Sequence, residues 1–323
     1  MIFVYFLLSA ALVVYAAVKL NQYGDVISQK SSLTGMMVGT FLLAGATSLP
    51  ELTTSLTAVY IDNPDIAVGN MLGSNVFNLL ILAVFDFLYR RNKMFERVSL
   101  DHRYTAGLGI ILFLVIAVSL VMPNPISIFH VGIDMLVIVG LYVIGTRWIS
   151  KRSGEQAAQE AESEAPVSNL SLKHATIGFA IAALVTFAAG SALTITGDKI
   201  AVATGMNASF VGSFLIAATT SLPELVTVYV AFRIANYEMA IGSILGSNLF
   251  NLQLLALTDV LYRKSAITTA ASASHLLTAM LGMFMGVVVL YSLFRKEVSG
   301  TWRYALPSLI TAAVYLITSY VMF

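Results

Sequence analysis

Displaced by 173 residues, this sequence meets itself. Thr47-Ser48-Leu49-Pro50-Glu51-Leu52 falls on Thr220-Ser221-Leu222-Pro223-Glu224-Leu225. Leu72-Gly73-Ser74-Asn75-Val76-Phe77-Asn78-Leu79 falls on Leu245-Gly246-Ser247-Asn248-Leu249-Phe250-Asn251-Leu252. The register runs without a gap from Gly24-Asp25 over Gly197-Asp198, through Gly39 over Gly212, to Asp86-Phe87-Leu88-Tyr89-Arg90 over Asp259-Val260-Leu261-Tyr262-Arg263. One unit is therefore used twice, and the two copies must complete each other in one fold.

The medium of that fold follows from composition. Of 323 residues, 58% are hydrophobic and 11% charged, less than half the charge of a soluble domain. Apolar stretches near 2–19, 31–60, 65–89, 104–122, 129–149, 174–196, 205–233, 238–262, 272–293 and 303–322 predict ten transmembrane helices. The expected fold is an all-α polytopic membrane protein of two five-helix units, 1–149 and 174–323. They are joined by a solvated linker, 150–173, carrying Glu155, Glu160, Glu162 and Glu164. Met1 to Tyr5 enters an apolar run without a basic leader, which reads as the first span. A net charge of +1 gives no field to recruit nucleic acid, and the absence of cysteine excludes thiolate metal sites and cysteine nucleophiles.

Lysine and arginine orient the spans: 15 of 18 fall in loops on one side, and only Lys199, Arg263 and Lys264 on the other. The positive-inside rule then puts both termini outside the cytoplasm and the linker inside. Five spans per unit is an odd number, so matching helices cross in opposite directions. Inverted repeats of this kind are a transporter pattern, with the site at the repeat interface near the bilayer midplane.

Glu51 and Glu224 lie deep in apolar runs, where a carboxylate costs several kcal/mol. Each follows a proline that removes a backbone donor and clashes with the preceding turn. Thr47-Ser48 and Thr220-Ser221 precede them with hydroxyls able to cover freed backbone groups. A helix break is predicted at each Glu, and such breaks at membrane depth occur where they line a cavity. Ser74 with Asn78, and Ser247 with Asn251, are four apart and share a helix face. Two carboxylates, hydroxyls, amides and unwound carbonyls, with no histidine or sulfur, describe a hard-cation site.

These paired Thr-Ser-Leu-Pro-Glu and Gly-Ser-Asn-x-Phe-Asn segments resemble the two alpha repeats of the calcium/cation antiporter superfamily, nearest its prokaryotic sodium/calcium exchangers. The resemblance implies that Glu51 and Glu224 are the principal cation ligands. Thr47, Ser48, Ser74 and Asn78 would join them from the first repeat, and Thr220, Ser221, Ser247 and Asn251 from the second. Ala44 and Ala217 would offer backbone carbonyls. It also implies a compact core across which long first and sixth helices slide. Asn251, where archaeal and potassium-dependent members often carry Asp, argues against potassium co-transport. The resemblance implies Ca²⁺ and Na⁺ as transported ions in the inner (cytoplasmic) membrane, a monomeric unit, no resident cofactor and no enzymatic activity.

Ca²⁺/H⁺ exchange through the same glutamates is the alternative, and a passive cation channel is disfavoured by the inverted repeat. Asp86 and Asp259 are expected to pair with Arg90 and Arg263 four residues on, near opposite surfaces. Asp134 and His130 read as interfacial. Asp25 and Asp198, at opposite helix ends, cannot form an aspartyl-protease dyad.

Overall fold

A computed structural model describes residues 1–30, 48–122, 126–153 and 170–323. The long elements are α1 (Ile2–Lys30), α2 (Leu49–Tyr60), α3 (Pro64–Leu88), α4 (His102–Val121), α5 (Ile133–Ser153) and α6 (Leu172–Thr204). They continue as α7 (Ala208–Thr220), α8 (Leu222–Arg233), α9 (Tyr237–Leu261), α10 (His275–Phe294) and α11 (Thr301–Met322). Among the described residues eight helices are long and apolar enough to cross a membrane alone, and α7 with α8 form a ninth span bent by 44°. The remaining expected span would continue α2 into residues 31–47, which lie outside the described residues, as do 154–169 of the expected linker. A short antiparallel hairpin, β1 (Ser127–Ile128) with β2 (Val131–Gly132), precedes α5.

The repeat reappears in the element boundaries. α2 and α8, α3 and α9, and α4 and α10 each start and stop 173 residues apart. The reason is visible at their N-termini: Asn63 and Asn236 cap α3 and α9, their side-chain oxygens accepting from Ile66 N (3.1 Å) and Met239 N (2.9 Å). The residue before each cap, Asp62 at φ 59° and Ala235 at φ 56°, turns the chain through the left-handed region. The first and last pairs depart from it: α6 begins three residues before α1 plus 173 would place it, and α11 five residues before α5 plus 173.

α3 and α9 form the centre, with 72% and 61% of their apolar windows buried, against 17% for α1 and for α5. Small residues permit that depth. A Cβ added at Gly73 would lie 2.1 Å from Ser213 O, and one at Gly69 2.9 Å from Ser213 N. Here α3 touches the backbone of a π-helical turn, Val211–Ile216, within α7. Such turns insert an extra residue and recur at functional sites.

The two longest helices, α1 and α6, lie together through Leu20, Tyr23, Phe179 and Ala182. α6 meets α2 through polar contacts, Thr57 Oγ1 with Ser191 Oγ at 2.9 Å and Thr194 Oγ1 donating to Thr54 O at 3.2 Å. Asp198 accepts from Asn63 Nδ2 at 2.7 Å, which gives that carboxylate a structural partner.

The halves are also stitched at their ends. Asp65 Oδ1 accepts from Ser272 N (2.6 Å) and pairs with His275 Nε2 (3.1 Å). Glu238 accepts from Ser99 N (2.5 Å) and pairs with His102 Nε2 (2.7 Å). All three positions in the second clasp are those of the first displaced by 173, with the halves exchanging roles.

The expected arginine pairing of Asp86 and Asp259 is not found. Asp86 accepts from Tyr304 OH (2.6 Å) and Ser308 Oγ (2.5 Å) on α11. Asp259 accepts from Gly132 N (2.8 Å) and Ile267 N (2.5 Å). Arg90 instead donates to Phe87 O and stacks over the Phe87 and Trp302 rings at 5.1 and 4.7 Å. Both carboxylates are buried, where a hydrogen-bonded clamp from distant parts of the chain outweighs an exposed i,i+4 pair. Asp134, in the first turn of α5, is likewise buried, its Oδ2 accepting from Ser119 Oγ (2.7 Å) and Thr268 Oγ1 (3.0 Å). His130 lies exposed in the hairpin turn.

Candidate functional site

The predicted break before Glu224 is present, and before Glu51 the described residues show the matching helix start. Ser221, at φ −88° and ψ 6°, ends α7, and α8 restarts with Pro223 and Glu224 in its first turn. Ser48 stands in the same place before α2, with Pro50 and Glu51 in the first turn. Proline suits a first helical turn, where its missing N–H would have had no helical partner. The restart therefore fixes each Glu at the same point of a helix N-terminus.

Glu51 and Glu224 are 1% and 3% exposed, and they lie within electrostatic reach of each other. Glu51 Oε1 accepts from Ser221 Oγ at 3.3 Å, a contact that joins one half to the other. Thr220 and Ser74, also from opposite halves, are 3.3 Å apart at their hydroxyls. Asn78 and Asn251 are fully buried on α3 and α9, and Ser247 is partly buried. The structure thus brings Glu51, Ser74, Thr220 and Ser221 into one connected group and sets Asn78 and Asn251 beside the α3–α9 crossing. Thr47 and Ala44 lie outside the described residues. The Ala217 carbonyl accepts from Ser221 N (3.0 Å), and the Thr220 hydroxyl, 3.2 Å away, has one proton to share between it and Asn70 Oδ1.

The unsatisfied atoms point the same way. Among the described residues ten buried side-chain nitrogens and oxygens lack a hydrogen-bond partner, and five of them are predicted ligand oxygens. These are Ser48 Oγ, Glu51 Oε2, Asn78 Oδ1, Glu224 Oε2 and Asn251 Oδ1. A buried acceptor left unpaired costs about 1–3 kcal/mol, more if charged, so an ion that accepts these lone pairs is strongly favoured. Among the described residues no group of three or more His, Cys, Asp or Glu side chains could hold a metal. The donor set is two carboxylates supplemented by neutral oxygens, which suits a hard cation that must be released again.

Asn70 belongs to this region and was not singled out from the sequence. Its Nδ2 lies within hydrogen-bond distance of Glu51 O (3.0 Å), Thr54 Oγ1 (2.6 Å) and Ser55 Oγ (2.9 Å), with two protons to share among them, while its Oδ1 faces Thr220 Oγ1 (3.2 Å). It thereby holds the first break against the second. The signal was present: 70, 74 and 78 share one face of α3 at a spacing of four. Its repeat counterpart is Ser243, so the repeat did not flag it.

Comparison with known proteins agrees with this arrangement. The model of the sodium/calcium exchanger protein family matches residues 1–148 and 174–323. An uncharacterized membrane protein of Methanocaldococcus jannaschii is 28% identical over 247 residues, 76% of either chain. The solved structure of the sodium-calcium exchanger NCX_Mj aligns with a TM-score of 0.59 at 22% identity, covering 97% of this chain and 95% of that one. An H⁺/Ca²⁺ exchanger, CAX, aligns with a TM-score of 0.65 at 13% identity, covering 99% and 88%. At these identities the structural likenesses establish the fold, and the family model establishes membership. The chain belongs to the sodium/calcium exchanger family, as a multi-pass membrane protein of cation exchange.

Proposed function

We propose that this protein exchanges Ca²⁺ for Na⁺ across the cytoplasmic membrane by alternating access, extruding Ca²⁺ on the inward Na⁺ gradient. The reading rests on one observation above others: two buried carboxylates in equivalent first turns of helices, with neutral oxygens without partners nearby. Two glutamates neutralise one Ca²⁺, and the hydroxyls and amides around them can instead share their lone pairs among Na⁺ ions. Glu51, Glu224, Ser48, Ser74, Asn78, Thr220, Ser221, Ser247 and Asn251 are the proposed ligands, with Thr47 and the carbonyls of Ala44 and Ala217 completing the set.

The halves 1–149 and 174–323 act as inverted units around linker 150–173, with both termini outside the cytoplasm and one chain as the transport unit. Rocking of α1 and α6 against the core then opens either side in turn. Ca²⁺/H⁺ exchange is the second reading, favoured by the fold shared with an H⁺/Ca²⁺ exchanger, in which the same glutamates carry protons.

Radiolabelled Ca²⁺ uptake into proteoliposomes separates them, comparing outward Na⁺ and outward H⁺ gradients at matched potential. Na⁺-driven uptake is the expected result. Uptake driven by protons alone would move the protein to the second reading, and uptake that needs neither gradient would overturn exchange altogether.

A further inference from the structure

At the crossing of α3 and α9 four asparagine side chains form a closed set. Asn75 Nδ2 donates to Asn248 O at 3.0 Å, and Asn248 Nδ2 donates to Asn75 O at 3.1 Å. Asn78 Nδ2 donates to Asn248 Oδ1, and Asn251 Nδ2 to Asn75 Oδ1, both at 3.0 Å. Displacement by 173 maps each bond onto another of the set, so the cluster has a local two-fold. All four residues are buried.

Donor and acceptor accounting allows this set only one orientation. A backbone carbonyl can only accept, so the amide end facing it must be the NH₂ group. Asn75 and Asn248 are thereby fixed with Nδ2 on each other's main chain and Oδ1 turned toward Asn251 and Asn78. Those two side chains must in turn present Nδ2, since an oxygen there would face an oxygen. Their own Oδ1 atoms are left pointing away from the cluster, and both are among the buried atoms that find no partner.

We infer that Asn75 and Asn248 are positioning residues that set the amide orientation of Asn78 and Asn251, so that both present oxygen rather than NH₂ to the transported cation. This rests on the cation-site reading given above. Without the clasp each ligand amide can turn by half a revolution, and an NH₂ group facing a cation repels it. The coupling is crossed: Asn75 governs Asn251 in the opposite half, and Asn248 governs Asn78.

The crossing makes the test specific. Asn75→Leu and Asn248→Leu are expected to raise the KM for Ca²⁺ about tenfold, the scale of one lost charge-assisted contact, with kcat changed less. In double-mutant cycles Asn251→Ala should add almost nothing to Asn75→Leu, whereas Asn78→Ala should add its full effect; with Asn248→Leu the two exchange places. A merely structural role would couple each leucine variant equally to both ligands, and that outcome overturns the inference. Should the leucine variants fail to fold, the wild-type protein carrying asparagine ¹³C-labelled at the side-chain carbonyl decides by infrared difference spectroscopy. A downshifted amide carbonyl band on Ca²⁺ binding, lost in Asn78→Ala and Asn251→Ala, is expected. No such band would overturn it. Glu51→Gln serves as the separate control: if that variant transports normally, the cation-site reading fails, whereas a dead Glu51→Gln beside an Asn75→Leu of wild-type KM defeats only the orientation claim.

Discussion

The centre of the molecule and its two ends obey the same repeat in different ways. At the centre the two glutamates, Glu51 and Glu224, are identical 173 residues apart, and so are Asn75 with Asn248 and Asn78 with Asn251, whose hydrogen bonds exchange between the halves. At the ends the register survives but the chemistry does not. Asp86 is held by two side-chain hydroxyls of α11, while Asp259 is held by two backbone N–H groups. One histidine clasp uses Asp65 with a fully buried His275, the other Glu238 with a partly exposed His102. An anchor needs only some hydrogen-bond partner, whereas a site shared by both halves needs the same atoms from each.

The largest expected effect tests the sameness of the centre. Glu51→Gln and Glu224→Gln should each reduce divalent uptake to background, at least about a hundredfold, because either removes half of the formal charge. Ca²⁺ flux in proteoliposomes checks this, and wild-type flux in one variant alone would break the equivalence. Next come the end anchors. In Asp259→Asn one N–H must face an NH₂ group, a cost of about 2 kcal/mol. Hydroxyls can reverse to accept, so Asp86→Asn should cost about 1 kcal/mol or less. Thermal unfolding in detergent should therefore give the lower Tm to the Asp259 variant, with transport per folded molecule kept in both.

The histidine clasps should differ by less. His275→Gln is expected to lower stability by about 1 kcal/mol and His102→Gln by about half that, since the second pair is more open to solvent; equal Tm shifts would count against the distinction. The smallest effect belongs to Asp62, whose exposed carboxyl Lys264 holds below its usual range, largely through a 2.5 Å hydrogen bond. A depressed carboxyl stabilises the fold above its unfolded pKa and loses that contribution as pH falls through the folded value. Asp62→Asn should lower Tm slightly at neutral pH and leave it unchanged in acid, where the wild-type carboxyl is protonated, so the acid-side dependence flattens.

Much of this was legible in the sequence because the repeat carries it. The offset of 173 recovers the boundaries of three helix pairs, and Pro50 and Pro223 mark where the chain breaks. Glu51 and Glu224 stand out because an apolar run has to explain a carboxylate. What could not be read depends on topology. Asp86 finds Tyr304 and Ser308 218 and 222 residues away, so a local rule offered Arg90 instead. Asp134 opens an apolar run, and its partners Ser119 and Thr268 come from other parts of the chain, one of them 134 residues away. The π turn at Val211–Ile216 has no sequence signature, and Asn70 escaped because its counterpart is Ser243.

The contact of Gly73 with the main chain at Ser213 has one more consequence, for how the molecule responds to pressure. Main chain against main chain leaves almost no interstitial void and no side-chain rotamers to rearrange. That seam should be nearly incompressible. Compression should instead act where side chains pack on side chains and can change rotamer, so the seam between α3 and α7 should keep its spacing while the helices around it shift.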